Sequence, residues 1–234
     1  MDQKNNEKFL LKKDDDEKYI EKTIENIKNI IKLSSSSLNK KFDYYKYWKL
    51  KESKLLLREL NRPRKYYEKY KRGTIIKVDF GVNIGSEFSQ VHYAIVLNKN
   101  DNRMSNTLSV IPLTSKEKNN NYNIGNVIFD NFISSTKNIL KRNNEKFNNM
   151  LNIKEIELLK KDLDDLEKIL DFYGENPVCS FACYKNISTI SKTRIVKPIN
   201  KFDFINKARC SKEIMNKLDE KIIEYYTDFN KISE

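Results

Sequence analysis

Glycine and proline are scarce, at 5 and 4 of 234 residues. The glycines are scattered, and none falls in a GxxxxGK[ST] or GxGxxG run. The sequence therefore offers no phosphate-cradling loop of the NTPase or dinucleotide type. Histidine occurs once, at His92, and cysteine three times, at Cys179, Cys183 and Cys210. That set lacks the ligand spacing of a zinc site, so the cysteines are read as small buried hydrophobes. It supplies no even disulfide framework either, which suits a reducing compartment. No HExxH, GxSxG or Asp-rich metal motif is present. No apolar run approaches the roughly 18 residues of a membrane span. The polar stretch from Met1 to Lys18 has no apolar core of a secretory signal. The expectation is a cytoplasmic protein with no membrane partner and no cofactor.

What is present is positive charge. Lys and Arg total 45 against 33 Asp and Glu, a formal net charge of +12. Such a chain attracts polyanions, which makes nucleic acid the first partner to test. The abundance of Asn, Lys and Ile also fits an AT-rich genome, which accounts for part of the charge. Aromatic residues reach 11%, through 13 Tyr, 12 Phe and Trp48, and that is enough apolar material for a core.

From Glu17 to Leu33 the apolar residues Tyr19, Ile20, Ile24, Ile27, Ile30 and Ile31 recur at helical spacing. Ser34 to Ser37 interrupts the pattern and supplies candidate N-caps. A second helix is predicted from about Lys41 to Leu60, stopped by Pro63. Its run Lys40–Lys49 interleaves cations with Phe42, Tyr44, Tyr45, Tyr47 and Trp48. Such a run either holds single-stranded nucleic acid by stacking or is an amphipathic helix with an aromatic core face; the helical spacing favours the helix. Residues 1–70 are thus read as a helical module. At Arg72 the period changes. Thr74–Phe80, Val91–Leu97 and Thr107–Leu113 are β-rich, and the last two are separated by the turn composition of residues 98–102. Gly125–Phe129, Val178–Tyr184 and Thr193–Val196 are further strand candidates. Ile153–Tyr173 reads as a helix ending at Gly174, and Ser211–Phe229 as a last one. The class is α+β: short strands in a small barrel or bent sheet, not a βαβ succession.

The sole histidine opens a strand directly after the polar loop 83–90, and imidazole is the side chain best suited to move protons near neutral pH. Around it the sequence resembles the MazF/PemK family of toxin endoribonucleases. Arg72-Gly73-Thr74-Ile75 with Val78-Asp79-Phe80 is similar to the family's opening strand. Gly85-Ser86-Glu87 stands where the family carries Gly-Ser-Glu-Gln, and His92-Tyr93 where it has Arg-Pro. Ile111-Pro112-Leu113-Thr114-Ser115 is similar to the strand ending in the family's catalytic threonine. The run from Ile187 to Ile195 resembles its late Ile-Arg-Thr-Ile-Asp-Lys-x-Arg-Leu segment. The resemblance spans roughly residues 71–229, with a helical insertion at about 142–176.

This resemblance implies an SH3-like barrel with a C-terminal helix, occupying 71–234. It also implies a homodimer, and a partner antitoxin that neutralises it. The activity implied is metal-free cleavage of single-stranded RNA to 2′,3′-cyclic phosphate and 5′-hydroxyl ends. The family's catalytic arginine is His92 here, its loop Gln is Phe88, and the arginine of its late segment is Ser188. An imidazole exchanges protons more readily than a guanidinium but lacks its planar fork for phosphate. His92 is therefore assigned as general acid or base, Thr114 as a donor to the phosphoryl oxygens, and Ser86 and Glu87 as loop-ordering residues. Arg72, Lys192 and Arg194 are candidate RNA contacts. The plainer readings are a half-buried polar histidine, a strand-end threonine and solvated strand charges. Two other functions compete: a non-catalytic RNA-binding module on the same barrel, and an interaction protein docking through its helical N-terminus.

Overall fold

The computed structural model describes residues 13–34, 40–61, 66–148, 153–173, 180–205 and 207–228. The chain divides into two compact units, residues 1–60 and 61–234. The first holds α1 (Lys13–Ser34) and most of α2 (Lys40–Asn61). The Ser34 hydroxyl donates to the Ile31 carbonyl (2.7 Å) in the last turn of α1. In α2, Trp48 is buried whereas Tyr47 and Leu60 are exposed. Cations accompany the aromatic rings, with Lys46 Nζ 5.1 Å from the centre of Tyr47 and Lys49 Nζ 5.6 Å from that of Tyr45.

The second unit is built on an antiparallel sheet. Its strands are β1 (Ile75–Asp79), β2 (Val91–Val96), β3 (Thr107–Thr114), β4 (Tyr122–Asn123), β5 (Phe181–Ala182) and β6 (Ser188–Ser191). The order is β1-β2-β3-β5-β4, with β6 also pairing β3. Register runs from Ile75↔Ile95 to Asp79↔Val91 and from Ala94↔Pro112 to Val96↔Val110. Because side chains alternate along a strand, this register sorts the apolar residues into two layers. Ile75, Ile95, Ile111 and Leu113 face one way, against Phe132, Ile169, Phe204 and Leu218. Ile76, Val78, Ala94, Val96, Leu108, Val110 and Ile190 face the other way, with Tyr70 and Phe80. Each fully buried Ile, Leu or Val contributes about 1.5–3 kcal/mol, so the paired strands supply much of the stabilisation. Among the described residues the unit's α-helices are α3 (Val127–Asn148), α4 (Ile153–Tyr173) and α5 (Lys212–Tyr226). Ser211 caps α5, its hydroxyl accepting from the Ile214 N–H.

After β6 the chain makes a 3₁₀ turn at Lys192–Arg194 and returns to β1. Ile195 bridges Val78, and the Val196 N–H donates to the Lys77 carbonyl at 2.8 Å. One bridge is not a ladder. The result is a mixed α/β unit on an open antiparallel sheet, and the expected SH3-like barrel is not present as a closed one. The strand expected at Gly125–Phe129 is a second correction. Gly125 takes φ +71° and the chain enters α3, on which Phe132, Thr136, Ile139 and Asn143 are buried at steps of three and four. The inserted helix falls on Ile153–Tyr173 as expected, but α3 precedes it and begins at Val127. The strand expected at Thr193–Val196 lies earlier, at Ser188–Ser191. Within Val178–Tyr184 the paired residues are Phe181 and Ala182. Ser35–Ser37, Pro63, Gly174, Val178, Cys179 and Phe229 lie outside the described residues. Among the described residues no helix is long and apolar enough to cross a membrane.

Candidate active site

His92 lies on β2 opposite Val78 of β1, on the sheet face that carries Ala94 and Val96. The β2–β3 ladder ends at Ala94↔Pro112, and Thr114 stands two residues beyond Pro112, where β3 pairs with β5; by strand alternation it shares the Pro112 face, as His92 shares that of Ala94. The imidazole environment agrees, because the Leu113 carbonyl, one bond from Thr114, faces the ring. Two aromatic rings hold the imidazole. Phe88 meets it edge-on at 4.8 Å between ring centres, and Phe80 at 6.5 Å. Burial pushes the His92 pKa below its ordinary 6.5, while hydrogen bonding to the Leu113 and Ser89 carbonyls pulls it upward. The net direction is down, so the ring is mainly neutral at pH 7. Thr114 Oγ1 accepts the Lys116 N–H (3.1 Å), which shapes the turn leaving β3.

The loop over this face is fastened from within. The Asn83 side-chain amide donates to the carbonyls of Phe80 (3.1 Å) and Phe88 (2.6 Å), and the Asn83 N–H donates to the Ser89 hydroxyl (3.1 Å). At its base Phe80 and Gln90 are joined, the Phe80 N–H donating to the Gln90 carbonyl (2.9 Å) and the Gln90 N–H to the Gly81 carbonyl (2.6 Å). Gln90 adopts φ +71°, an uncommon setting for a non-glycine residue, and it lies two residues from His92. Ser86 and Glu87 are at the exposed tip; the Glu87 N–H closes the tip turn onto the Ile84 carbonyl (3.3 Å). Asn83 was not singled out from the sequence. An asparagine between two hydrophobic runs is the available signal, since its amide readily bonds neighbouring backbone.

The three cations expected to contact RNA are held by the protein itself. Lys192 is buried, with Nζ 2.8 Å from both Asp101 carboxylate oxygens and further bonds to the Glu68 (3.0 Å) and Asn102 (3.1 Å) carbonyls. Its side chain is 2% exposed and that of Asp101 is 1% exposed, so it cannot reach a phosphate in this fold. Arg72 spans the Leu97 carbonyl and the Asp219 carboxylate, tying the end of β2 to α5. Arg194 donates to the Phe80 carbonyl (2.9 Å) and so braces the root of the His92 loop. Of the three, Arg194 alone adjoins the site. The buried thiols take no part: desolvation raises Cys183 to about 11 and Cys210 to about 12. Among the described residues no group of three or more His, Cys, Asp or Glu side chains is placed to hold a metal ion.

The class that the fold defines is a mixed α/β protein on an antiparallel sheet, with the imidazole of His92 held between Phe88 and the Leu113 carbonyl at the root of a polar loop. Residues 71–162 match the family of PemK-like, MazF-like toxins of type II toxin–antitoxin systems. This matched segment carries His92, Thr114 and the loop, and the helices α1 and α2 precede it in the chain. The match ends inside α4, so the likeness of Ile187–Ile195 rests on those residues themselves. No curated protein matches the chain.

Proposed function

We propose that this protein is a toxin endoribonuclease that cleaves single-stranded RNA without a metal ion, with His92 as its proton carrier. The observation that carries the reading is the place of the His92 imidazole, against Phe88 and the Leu113 carbonyl beside Thr114, within a segment that matches the toxin family. In this reading neutral His92 removes the proton of a ribose 2′-hydroxyl. The 2′ oxygen forms a bond to phosphorus as the bond from phosphorus to the 5′ oxygen breaks. The imidazolium then returns its proton to that departing oxygen. The products are a 2′,3′-cyclic phosphate and a 5′-hydroxyl, and the atoms and protons balance. Thr114 donates to the phosphoryl oxygens, where charge builds in the transition state. Phe88 and Phe80 fix the ring plane, and Arg194 and Asn83 set the loop that carries Phe88. A cognate antitoxin partner, a homodimer and the bent-barrel form of the sheet belong to the same reading; the Val78–Ile195 bridge supports the last.

The test is incubation of the purified protein with a long single-stranded RNA in excess EDTA, beside His92→Ala, with chemical mapping of the product ends. Cyclic-phosphate and 5′-hydroxyl ends from the wild type, absent with the variant, support the proposal. RNA that is bound but uncut by the wild type would make the protein a non-catalytic RNA-binding module. Cleavage that survives in His92→Ala would remove His92 from the mechanism.

A further inference from the structure

In α4 the residues Ile156, Leu159, Leu163, Leu166 and Leu170 follow one another at steps of three and four, the spacing of a coiled-coil stripe. The fold uses only one edge of that stripe. Leu166 is buried, as is the adjacent Ile169, which joins the apolar layer of Phe132 and Phe204; Leu159 is half-buried. The same side of the helix is fastened by polar contacts: the Asp165 carbonyl accepts the Asn200 side-chain amide (2.7 Å), and the Asp162 carboxylate meets Lys201. Ile156, Leu163 and Leu170 stand out instead, each seven residues from the next and 45%, 44% and 41% exposed. Single exposed aliphatic residues are ordinary on a protein surface, whereas a row of them along one helix face marks a place for a partner.

The symmetry of the row identifies the partner. Ile156 and Leu170 flank Leu163 at equal distances, so the seam reads the same from either end. An antiparallel copy turned about a two-fold axis at Leu163 sets Leu163 against the partner's Leu163, and Ile156 against the partner's Leu170. The edge of the seam away from the buried stripe carries Lys160 and Glu167, both exposed, and neither has an ion pair among the described residues. The same rotation brings Lys160 beside the partner's Glu167, and Glu167 beside the partner's Lys160, opposite charges at both ends. A parallel pair would instead put Asp162 beside the partner's Glu167, two carboxylates together. A face complementary to itself in both shape and charge is what an isologous contact between identical chains requires.

We propose that α4 is a dimerisation helix, pairing antiparallel with α4 of a second copy of this chain through Ile156, Leu163 and Leu170. Three apolar anchors make a contact smaller than a permanent interface, so the association is concentration-dependent. The proposal does not rest on the nuclease reading, because His92, Thr114 and the 83–90 loop take no part in it.

Sedimentation equilibrium of the full chain over a concentration series tests it, together with disulfide trapping. The wild type should associate reversibly. Leu163→Lys, which places two lysines face to face on the axis, should weaken that association by about tenfold or more with an unchanged circular dichroism spectrum. Lys160→Glu and Glu167→Lys should each weaken it by about threefold, and the double reversal should restore it, because the ion pairs re-form with their signs exchanged. For trapping, Cys179→Ser is the background, since Cys183 and Cys210 are buried. Under mild oxidation Leu163→Cys should link to itself, and Ile156→Cys should link to Leu170→Cys in a mixture but not to itself. A wild type that stays monomeric throughout, or an association indifferent to Leu163→Lys and to both charge reversals, would overturn the proposal. So would failure of Leu163→Cys to link, or Ile156→Cys linking to itself as readily as to Leu170→Cys.

Discussion

Replacing Lys192 by methionine distinguishes a nucleic-acid contact from a structural ion pair. In the wild type, Nζ lies 2.8 Å from each Asp101 oxygen and also bonds the Glu68 and Asn102 carbonyls, with both side chains almost fully enclosed. Methionine keeps the length of the side chain but removes the charge and all four contacts. Asp101 then keeps the Tyr70 N–H (2.8 Å) but loses its counter-ion inside the protein. Breaking a buried pair from one side costs about 3–5 kcal/mol, mostly through the charge left behind. Against a typical total of about 5–15 kcal/mol this is a large fraction. At about 2–4 °C per kcal/mol for a unit of this size, the melting point should fall by about 6–20 °C. The assay is urea unfolding with a parallel thermal scan. Lys192→Met combined with Asp101→Asn should recover part of the loss, since the amide still accepts the Tyr70 N–H and leaves no buried charge. RNA affinity of the folded protein, measured at low temperature across a salt series, should be unchanged. The reasoning is refuted if Lys192→Met unfolds within about 0.5 kcal/mol of the wild type, the scatter of ordinary surface changes. A salt slope shallower by about 0.7, the value of one lost phosphate contact on a single strand, would instead restore Lys192 as an RNA ligand.

Because His92 is the only histidine, its proton NMR signals need no assignment by mutation, and their titration midpoint should fall below 6.5. The folded-state value lies below the unfolded one, so the unfolded chain binds more protons in that window. Stability should therefore rise with pH between the folded midpoint and about 6.5, and the rise should vanish in His92→Gln; a midpoint at or above 6.5 contradicts the burial argument. Asn83→Ala removes two amide donations to backbone and should destabilise by about 1–3 kcal/mol, with faster hydrogen exchange concentrated at residues 81–90. Exchange spread evenly over the sheet would show that Asn83 does not organise that loop. Cys183 and Cys210, with thiols raised to about 11 and 12, should resist iodoacetamide at pH 8 in the folded protein and react in urea, as read by peptide mass mapping. Rapid native labelling of either would contradict their burial.

The amino-acid sequence by itself determined the strands around Ile75, Val91 and Thr107 and the helix at Ile153–Tyr173, because alternation and helical spacing are local properties. It also carried the likeness of residues 71–162 to the toxin family, in short motifs in a shared order. Tertiary structure decided the rest. Gly125–Phe129 reads as a strand in a short window; it is α3 because the buried positions continue at helical steps to Asn143. Which cations are free was equally illegible, since Lys192, Arg72 and Arg194 meet partners 91, 147 and 114 residues away. That the His92 imidazole meets the Leu113 carbonyl beside Thr114 depends on how β2 and β3 come together. Local propensity is written residue by residue, whereas desolvation and long-range partners exist only once the chain has folded.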